Sequence, residues 1–303
     1  MLLDPLTKPL QALHLAGIVP IAGQEDIFNM PWHDSLMPIA SNYTLLEKAV
    51  FECAAVGCET IWVVAHVGTM PLVKKRLGEF IIDPDLQDTY KYFKIRNVPI
   101  YYVPIHPKDK QRRDCLGWSA IYGAKIAYGT SDFLSKWVAP ELFYCSFPYS
   151  LNSVDEARKI RTRLFNKQRI LFSHNNLTVK DNLHLNFSFN CKDYFKCRDI
   201  LRKRDLENVD KKSIKTKNYN LAEVFKGIDE DGTEKVELSW HYNINSWDNY
   251  RNYLSSEYAA NTTKPFKFFT KNRKVRYIDY VQQPSGEDIQ QSKSPVEDEN
   301  KST

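Results

Sequence analysis

No stretch of the sequence approaches the roughly eighteen uncharged apolar residues that a membrane-spanning helix requires, so no such span is expected. Glycine is scarce, eleven in 303 residues. None falls in a G-x-G-x-x-G or P-loop spacing, which removes the two commonest phosphate cradles. Six cysteines are present without a single C-x-x-C pair; Cys53 and Cys58 are five apart, Cys191 and Cys197 six. That spacing fits no zinc knuckle, and a chain of this length needs no disulfide framework, so reduced and mostly buried thiols are expected. There is no H-E-x-x-H, H-x-x-x-H or G-x-S-x-G, which argues against a zinc hydrolase and a serine-elbow hydrolase. The opening Met1-Leu2-Leu3-Asp4-Pro5 has neither a basic nor an apolar leader region. A soluble, cytoplasmic chain is expected.

What is present suffices for a large core: 43% of residues are apolar and 13% aromatic. The net charge of +5 conceals an uneven layout. From Leu151 to Asn220 there are 17 Lys and Arg against 8 Asp and Glu, and Lys264 to Tyr280 adds six basic residues against Asp279. Pro284 to Thr303 carries five acids and two lysines with almost no apolar residue, and reads as a disordered tail.

The first 150 residues alternate between apolar runs and helical periodicity. His14 to Ala22, Thr60 to Ala65, Val98 to Ile105 and Glu141 to Phe147 read as buried strands. Asn42 to Gly57, Pro71 to Phe80 and Gly117 to Tyr128 read as helices, the first opened by a capping-box spacing at Thr44 and Glu47. Strand and helix in turn imply βαβ units and an α/β fold, a Rossmann-like, mainly parallel sheet flanked by helices. Later, Val154 to Phe165, Leu221 to Phe225 and Ser246 to Ser255 suggest helices, Leu183 to Phe189 a half-exposed strand, and Lys235 to Tyr242 another strand after a turn at Asp231-Gly232.

In open α/β sheets ligands sit outside the carboxyl ends of the strands. Gly23 and Gln24, directly after the first apolar run, are therefore candidates to meet a phosphate through backbone amides. Lys108, Lys110, Arg112 and Arg113 lie between a strand and the helix that opens at Gly117, on the same presumed side, and suit phosphate contacts. Glu25, Asp26 and Asp34 are acids in the first loop, and His33, His66 and His106 follow strands or lie in that loop. Basic residues interleaved with aromatics at Tyr194 to Arg204 and Lys264 to Tyr277 supply a separate, weaker nucleic-acid reading.

Three stretches together resemble the sugar-phosphate nucleotidyltransferases, which share the nucleotide-diphospho-sugar transferase fold. They are the run ending Ala22-Gly23 with its loop to Leu36-Met37-Pro38-Ile39, the helix start Gly117-Trp118-Ser119-Ala120, and Trp240 to Trp247 followed by Asp248. The resemblance covers about residues 12 to 255 and implies one nucleotidyltransferase-like domain over 1–255. A basic aromatic extension over 256–283 and the acidic tail over 284–303 complete the expected organisation. It implies a nucleoside triphosphate or nucleotide sugar as ligand and transfer of a nucleotidyl group to a sugar phosphate with Mg²⁺. It implies that the segment opening at Gly117 cradles the nucleotide, and Gly23, Gln24, Lys108 and Lys110, from their place on the same side, complete the expected nucleotide-binding set.

The chain departs from that pattern where chemistry is concerned. Gln24-Glu25-Asp26 stands where the family carries a basic side chain, and Ser35-Leu36-Met37 replaces a lysine before Pro38. The strand ending at Phe147 is followed by no aspartate: Ser146-Phe147-Pro148-Tyr149 stands there, and Asn243 replaces the second metal-binding acid. Compensation would fall to Arg112 and Arg113 for charge and to Glu25, Asp26 and Asp34 for a displaced Mg²⁺, which prefers carboxylates. The expectation is weak or absent Mg²⁺ binding in a divergent nucleotidyltransferase-like protein. The alternative is a non-catalytic interaction or structural protein on the same fold. A glycosyltransferase would want a D-x-D at a strand end, and Asp83-Pro84-Asp85 follows a helix instead.

Overall fold

The computed structural model describes residues 14–24, 26–84, 96–134, 139–210 and 219–265, apart from the side chains of residues 111, 112 and 205–210. Glu25, the side chain of Arg112, the proposed tail from Pro284 and most of the basic extension therefore lie outside the described residues. An eight-stranded sheet dominates the rest. Its strands are β1 (Leu15–Pro20), β4 (Thr60–Ala65), β5 (Phe80–Ile82), β6 (Asn97–Pro104), β7 (Leu142–Cys145), β9 (Arg169–Ser173), β10 (Phe187–Asn190) and β11 (Thr233–Glu237). The spatial order is β11-β9-β10-β7-β1-β4-β6-β5. Pairing is parallel across β7-β1-β4-β6 and between β9 and β11, and antiparallel where β10 and β5 join. Two ribbons lie beside it: β2 (Pro38–Ala40) with β3 (Tyr43–Thr44), and β8 (Ser150–Asn152) with β12 (His241–Asn243).

Helices α1 (Leu45–Ala55), α2 (Met70–Leu77), α3 (Pro107–Arg112), α4 (Leu116–Leu134), α5 (Val154–Lys159), α6 (Arg161–Phe165), α7 (Cys191–Asp210), α8 (Leu221–Phe225), α9 (Trp247–Leu254) and α10 (Glu257–Asn261) flank these sheets. The α/β class read from the sequence is thus present, with strands β1, β4, β6 and β7 close to their expected bounds. The capping box at Thr44 and Glu47 is formed, each side chain meeting the other's backbone amide.

Four elements differ from their sequence reading. The expected helix Val154 to Phe165 is divided at Ile160 into α5 and α6, and the expected helix Pro71 to Phe80 stops at Leu77 before β5. The two others are strands. The alternation in Leu183 to Phe189 suggests one wet face, yet β10 is buried between β7 and β9. Its polar positions are satisfied internally: Ser188 Oγ accepts from Ile170 N at 2.7 Å, and Asn186 Oδ1 accepts from Phe147 N at 2.8 Å. The expected strand Lys235 to Tyr242 is broken, so that β11 ends the large sheet and β12 pairs with β8 instead.

Helix α1 carries the polar spine of the core. Glu52, wholly buried, accepts through Oε1 from Tyr144 Oη and Asn186 Nδ2, both at 2.5 Å, and pairs through Oε2 with Lys48 Nζ at 2.6 Å. Lys48 also donates to Ser150 O at 2.9 Å and to Asn152 Oδ1. Eleven residues' length of helix is thereby tied to β7, β8 and the segment entering β10. Near the start of the same helix, buried Glu47 pairs with Arg76 at 2.8 Å and with Lys264, itself buried. Lys264 is thus withdrawn from the basic surface that the sequence suggested.

Removing one partner of a buried ion pair strands the other, which typically destabilises by about 3–5 kcal/mol. Lys48→Met is therefore expected to lower the unfolding free energy by that order in urea titrations. Tyr144→Phe, which deletes one donor to Glu52, should remove roughly 1–3 kcal/mol.

Candidate functional site

Because β7, β1, β4 and β6 run parallel, their carboxyl ends share one rim, and the residues that follow them meet there. Gly23 closes the turn after β1 at φ +79°, and a Cβ at that position would lie 2.4 Å from Cys115 N. Only glycine permits this approach. Ser119 Oγ, in the first turn of α4, donates to Ala22 O at 2.7 Å and fastens the same loop from the other side. The turn after β1 and the start of α4 are thus one unit. Gly117 itself is buried, and a Cβ there would meet Val224 Cγ2 at 2.7 Å, so this glycine admits α8 against α4.

The first loop folds back over itself around Asp34. Its Oδ2 accepts from Ile27 N at 2.5 Å and Phe28 N at 3.3 Å, while its Oδ1 is buried with no hydrogen-bond partner. Beside it, His33 Nδ1 lies 2.9 Å from Ser35 Oγ. Burial lowers the His33 pKa, partly opposed by the carboxylates of Asp34 and Asp26. Asp26 is exposed and Gln24 half-buried. Phe28 packs edge-on against Trp247 at 4.9 Å, and Tyr250 Oη donates to Pro38 O at 2.5 Å, so α9 clasps this loop.

At the ends of β4 and β6, His66 Nε2 lies 3.2 Å from Asp114 Oδ1, and His106 caps α3 by accepting from Lys108 N. Lys108 and Lys110 are exposed. Arg113 lies 4.3 Å from the ring centre of Trp118 and 3.5 Å from Asp109. The segment from 106 to 117 therefore leads directly to the Cys115 backbone against which Gly23 rests. These residues and Gly23 share one rim.

At the end of β7, Ser146 Oγ and Tyr149 Oη are wholly buried without a hydrogen-bond partner. Burial raises the Tyr149 pKa well above its usual value, and the Asp34 and Asp26 carboxylates add to the effect. Asn243, across the ribbon from Ser150, uses its Oδ1 to accept from His184 Nδ1 at 2.6 Å and His184 N at 3.3 Å. Burial pushes the His184 pKa down to about 4 and that of His241 to about 3, with Lys48 and His174 lowering the latter further.

A hydroxyl at Ser146 and an amide oxygen already engaged at Asn243 do not fit a Mg²⁺ ion, which prefers charged carboxylate oxygens. Among the described residues no group of three His, Cys, Asp or Glu side chains is placed to hold a metal. Asp83, the first acid of the D-x-D, is buried in a two-point pair with Arg161 at 2.9 and 2.7 Å, and Asp85 lies outside the described residues. Sequence reasoning missed Tyr149 and His184. His184 sits in an alternating stretch and shows no motif; Tyr149 stands among aromatics that read as core.

No protein-family model matches the sequence, and no curated protein matches it. Solved structures do. A protein from Bacillus anthracis described as a glucose-1-phosphate thymidylyltransferase, solved in complex with a sucrose, is similar over 85% of this chain and 98% of its own. The TM-score is 0.54 at 11% identity. An apo UDP-glucose pyrophosphorylase is similar over 82% of this chain and 100% of its own, with TM-score 0.51 and 12% identity. The architecture is that of the nucleotide-diphospho-sugar transferases, a large and mostly parallel sheet with helices on its faces.

His184 and His241 are held neutral in the fold and take up a proton near pH 6.5 once unfolded. Their contribution is full above about pH 6.5 and lost progressively as pH falls toward 4. At about 1.4 kcal/mol per pKa unit, His184 alone accounts for roughly 3 kcal/mol across that window. Urea unfolding at successive pH values should show this loss, and His184→Gln should reduce it by roughly 3 kcal/mol, leaving the part due to His241.

Proposed function

We propose that the protein binds a nucleotide or nucleotide sugar at the rim formed by the turn after β1 and the segment from 106 to 117, without appreciable nucleotidyl transfer. The observation that carries this reading is the donor set at the end of β7 and in β12. Ser146 offers an uncharged hydroxyl, and Asn243 spends its amide oxygen on His184. Attack of a sugar phosphate on an α-phosphate builds negative charge that must be offset in place. Nothing at these two positions offsets it.

Binding has separate support. Lys108, Lys110 and Arg113 lie on the segment that adjoins the Gly23 turn, and backbone amides there need no metal to meet phosphate oxygens. The likeness to sugar nucleotidyltransferases supports the choice of ligand class. Six unpaired cysteines, five of them buried, suit a cytoplasmic setting. The glycosyltransferase reading loses support because Asp83 is committed to Arg161.

A thermal-shift series with UTP, dTTP and UDP-glucose, each with and without Mg²⁺, tests the reading. A concentration-dependent rise in melting temperature is expected with at least one ligand, little changed by Mg²⁺. Arg113→Ala should weaken that ligand by about tenfold or more, the worth of a charge-assisted contact. Pyrophosphate release should stay at background in the unaltered protein and appear, dependent on Mg²⁺, in Ser146→Asp/Asn243→Asp. Robust release by the unaltered protein contradicts the proposal. No shift with any nucleotide would leave the non-catalytic interaction protein as the better reading.

A further inference from the structure

The basic and aromatic run from Tyr194 to Arg204 that the sequence singles out forms one surface of α7. Helical periodicity places Lys192, Phe195, Lys196, Asp199, Arg202 and Lys203 on a single face, at steps of three and four residues. All six are exposed, while Tyr194, Cys197 and Leu201 are buried on the other side. From Lys192 to Lys203 the face runs about 16 Å along the helix axis. Strand β10 ends opposite the start of β7, Asn190 against Leu142, so α7 begins at the end of the sheet away from the rim.

Phe195 stands near the start of this face with 47% of its surface exposed. Its ring is braced: Tyr194 meets it edge-on at 5.1 Å, and the Arg198 guanidinium lies 4.9 Å from its centre and 5.8 Å from that of Tyr194. Asp199 anchors Arg198 at 3.0 Å. The charge of the face is not spent within the fold. Lys196 pairs with Asp229, Arg198 with Asp199 and Arg204 with Glu223, but Lys192, Arg202 and Lys203 pair with no acid among the described residues. These three cations flank the ring, three residues before it and seven and eight after it. Each feature alone is ordinary. Together, a stackable ring between unpaired cations matches the two things a single-stranded nucleic acid offers, base faces and phosphates. A duplex keeps its base faces inside the stack, and an acidic peptide supplies charge alone.

We infer that the exposed face of α7 binds single-stranded nucleic acid, with Phe195 stacking on a base while Lys192, Arg202 and Lys203 meet phosphates on either side. Lys264, which opens the second basic and aromatic stretch, is buried against Glu47 and takes no part. The surface uses none of the residues assigned to the rim, so either reading stands without the other.

Fluorescence anisotropy of the full chain with labelled oligouridylate and oligothymidylate of roughly twelve nucleotides, between about 50 and 200 mM NaCl, tests it. Three phosphate contacts on a single strand predict a slope of about −2 in log K against log salt. Phe195→Ala should weaken binding about tenfold and leave that slope unchanged. Arg202→Gln with Lys203→Gln should weaken binding and bring the slope to about −0.7. Both variants should melt within about two degrees of the parent, since the replaced side chains are exposed. The paired glutamine variant alters no ring, so it keeps the test decisive if Phe195→Ala loses stability. A duplex of the same length should bind more weakly than the single strand. No binding at the lowest salt overturns the inference, and so does binding that both variants leave unchanged. Equal affinity for an abasic strand overturns it as well, because only polyanion adsorption would remain. Phosphatidylserine vesicles that bind more tightly, and lose that binding in Phe195→Ala, would make the face a membrane contact instead.

Discussion

The carboxylate of Glu52 sets the geometry on which the rim depends. Placed inside α1 and fully buried, it is shared by Tyr144 of β7, Asn186 before β10, and Lys48, which in turn holds the carbonyl of Ser150 and the side chain of Asn152 in β8. The turn from Ser146 to Tyr149 joins β7 to β8, so both of its ends are fixed to one helix. A buried polar network of this kind stabilises little relative to apolar packing, but it tolerates few alternative arrangements. Near the amino end of the helix Glu47 fixes Arg76 and Lys264, which brings the chain after α10 against α1. The clasp of α9 over the first loop follows from that docking.

The network leaves some of its own atoms unpaired, Ser150 Oγ and Asn152 Nδ2 among them, and so does the carboxyl end of the sheet. Asp34 Oδ1, Ser146 Oγ, Tyr149 Oη and, in the first turn of α4, Trp118 Nε1 are buried without hydrogen-bond partners. Polar atoms left unpaired in a core are unfavourable unless an ordered water, an ion or a ligand supplies the missing partner. Gly23 and the basic segment from 106 to 113 meet at that end through the Cys115 backbone.

Much of the fold is legible in the sequence because its strands are buried on both faces and its first helix is marked by a cap. Thr60 to Ala65 reads as a strand from its β-branched and aromatic run, and its bounds hold in the structure. Short elements are not legible. Phe80–Ile82 follows α2 after a single turn, and Arg169–Ser173 is too short for any periodicity to separate it from loop. The strand Phe187–Asn190 misleads for a different reason: Asn186 and Ser188 look like solvent contacts but satisfy groups within the core. At the site, residue types reveal acids where basic groups are expected, yet they do not reveal that Asp34 Oδ2 is committed to two backbone amides while Oδ1 is free. That distinction is made by the loop's return path, which no local pattern encodes.

Hydrogen–deuterium exchange of the full chain, with and without a saturating nucleotide or nucleotide sugar, tests the central claim most directly. Backbone amides ordered by a ligand exchange more slowly, and the affected peptides locate it. The account predicts slowed exchange confined mainly to residues 21–37 and 106–119, with Mg²⁺ making little difference. Protection absent from both segments, or concentrated on the basic face of α7, would contradict it.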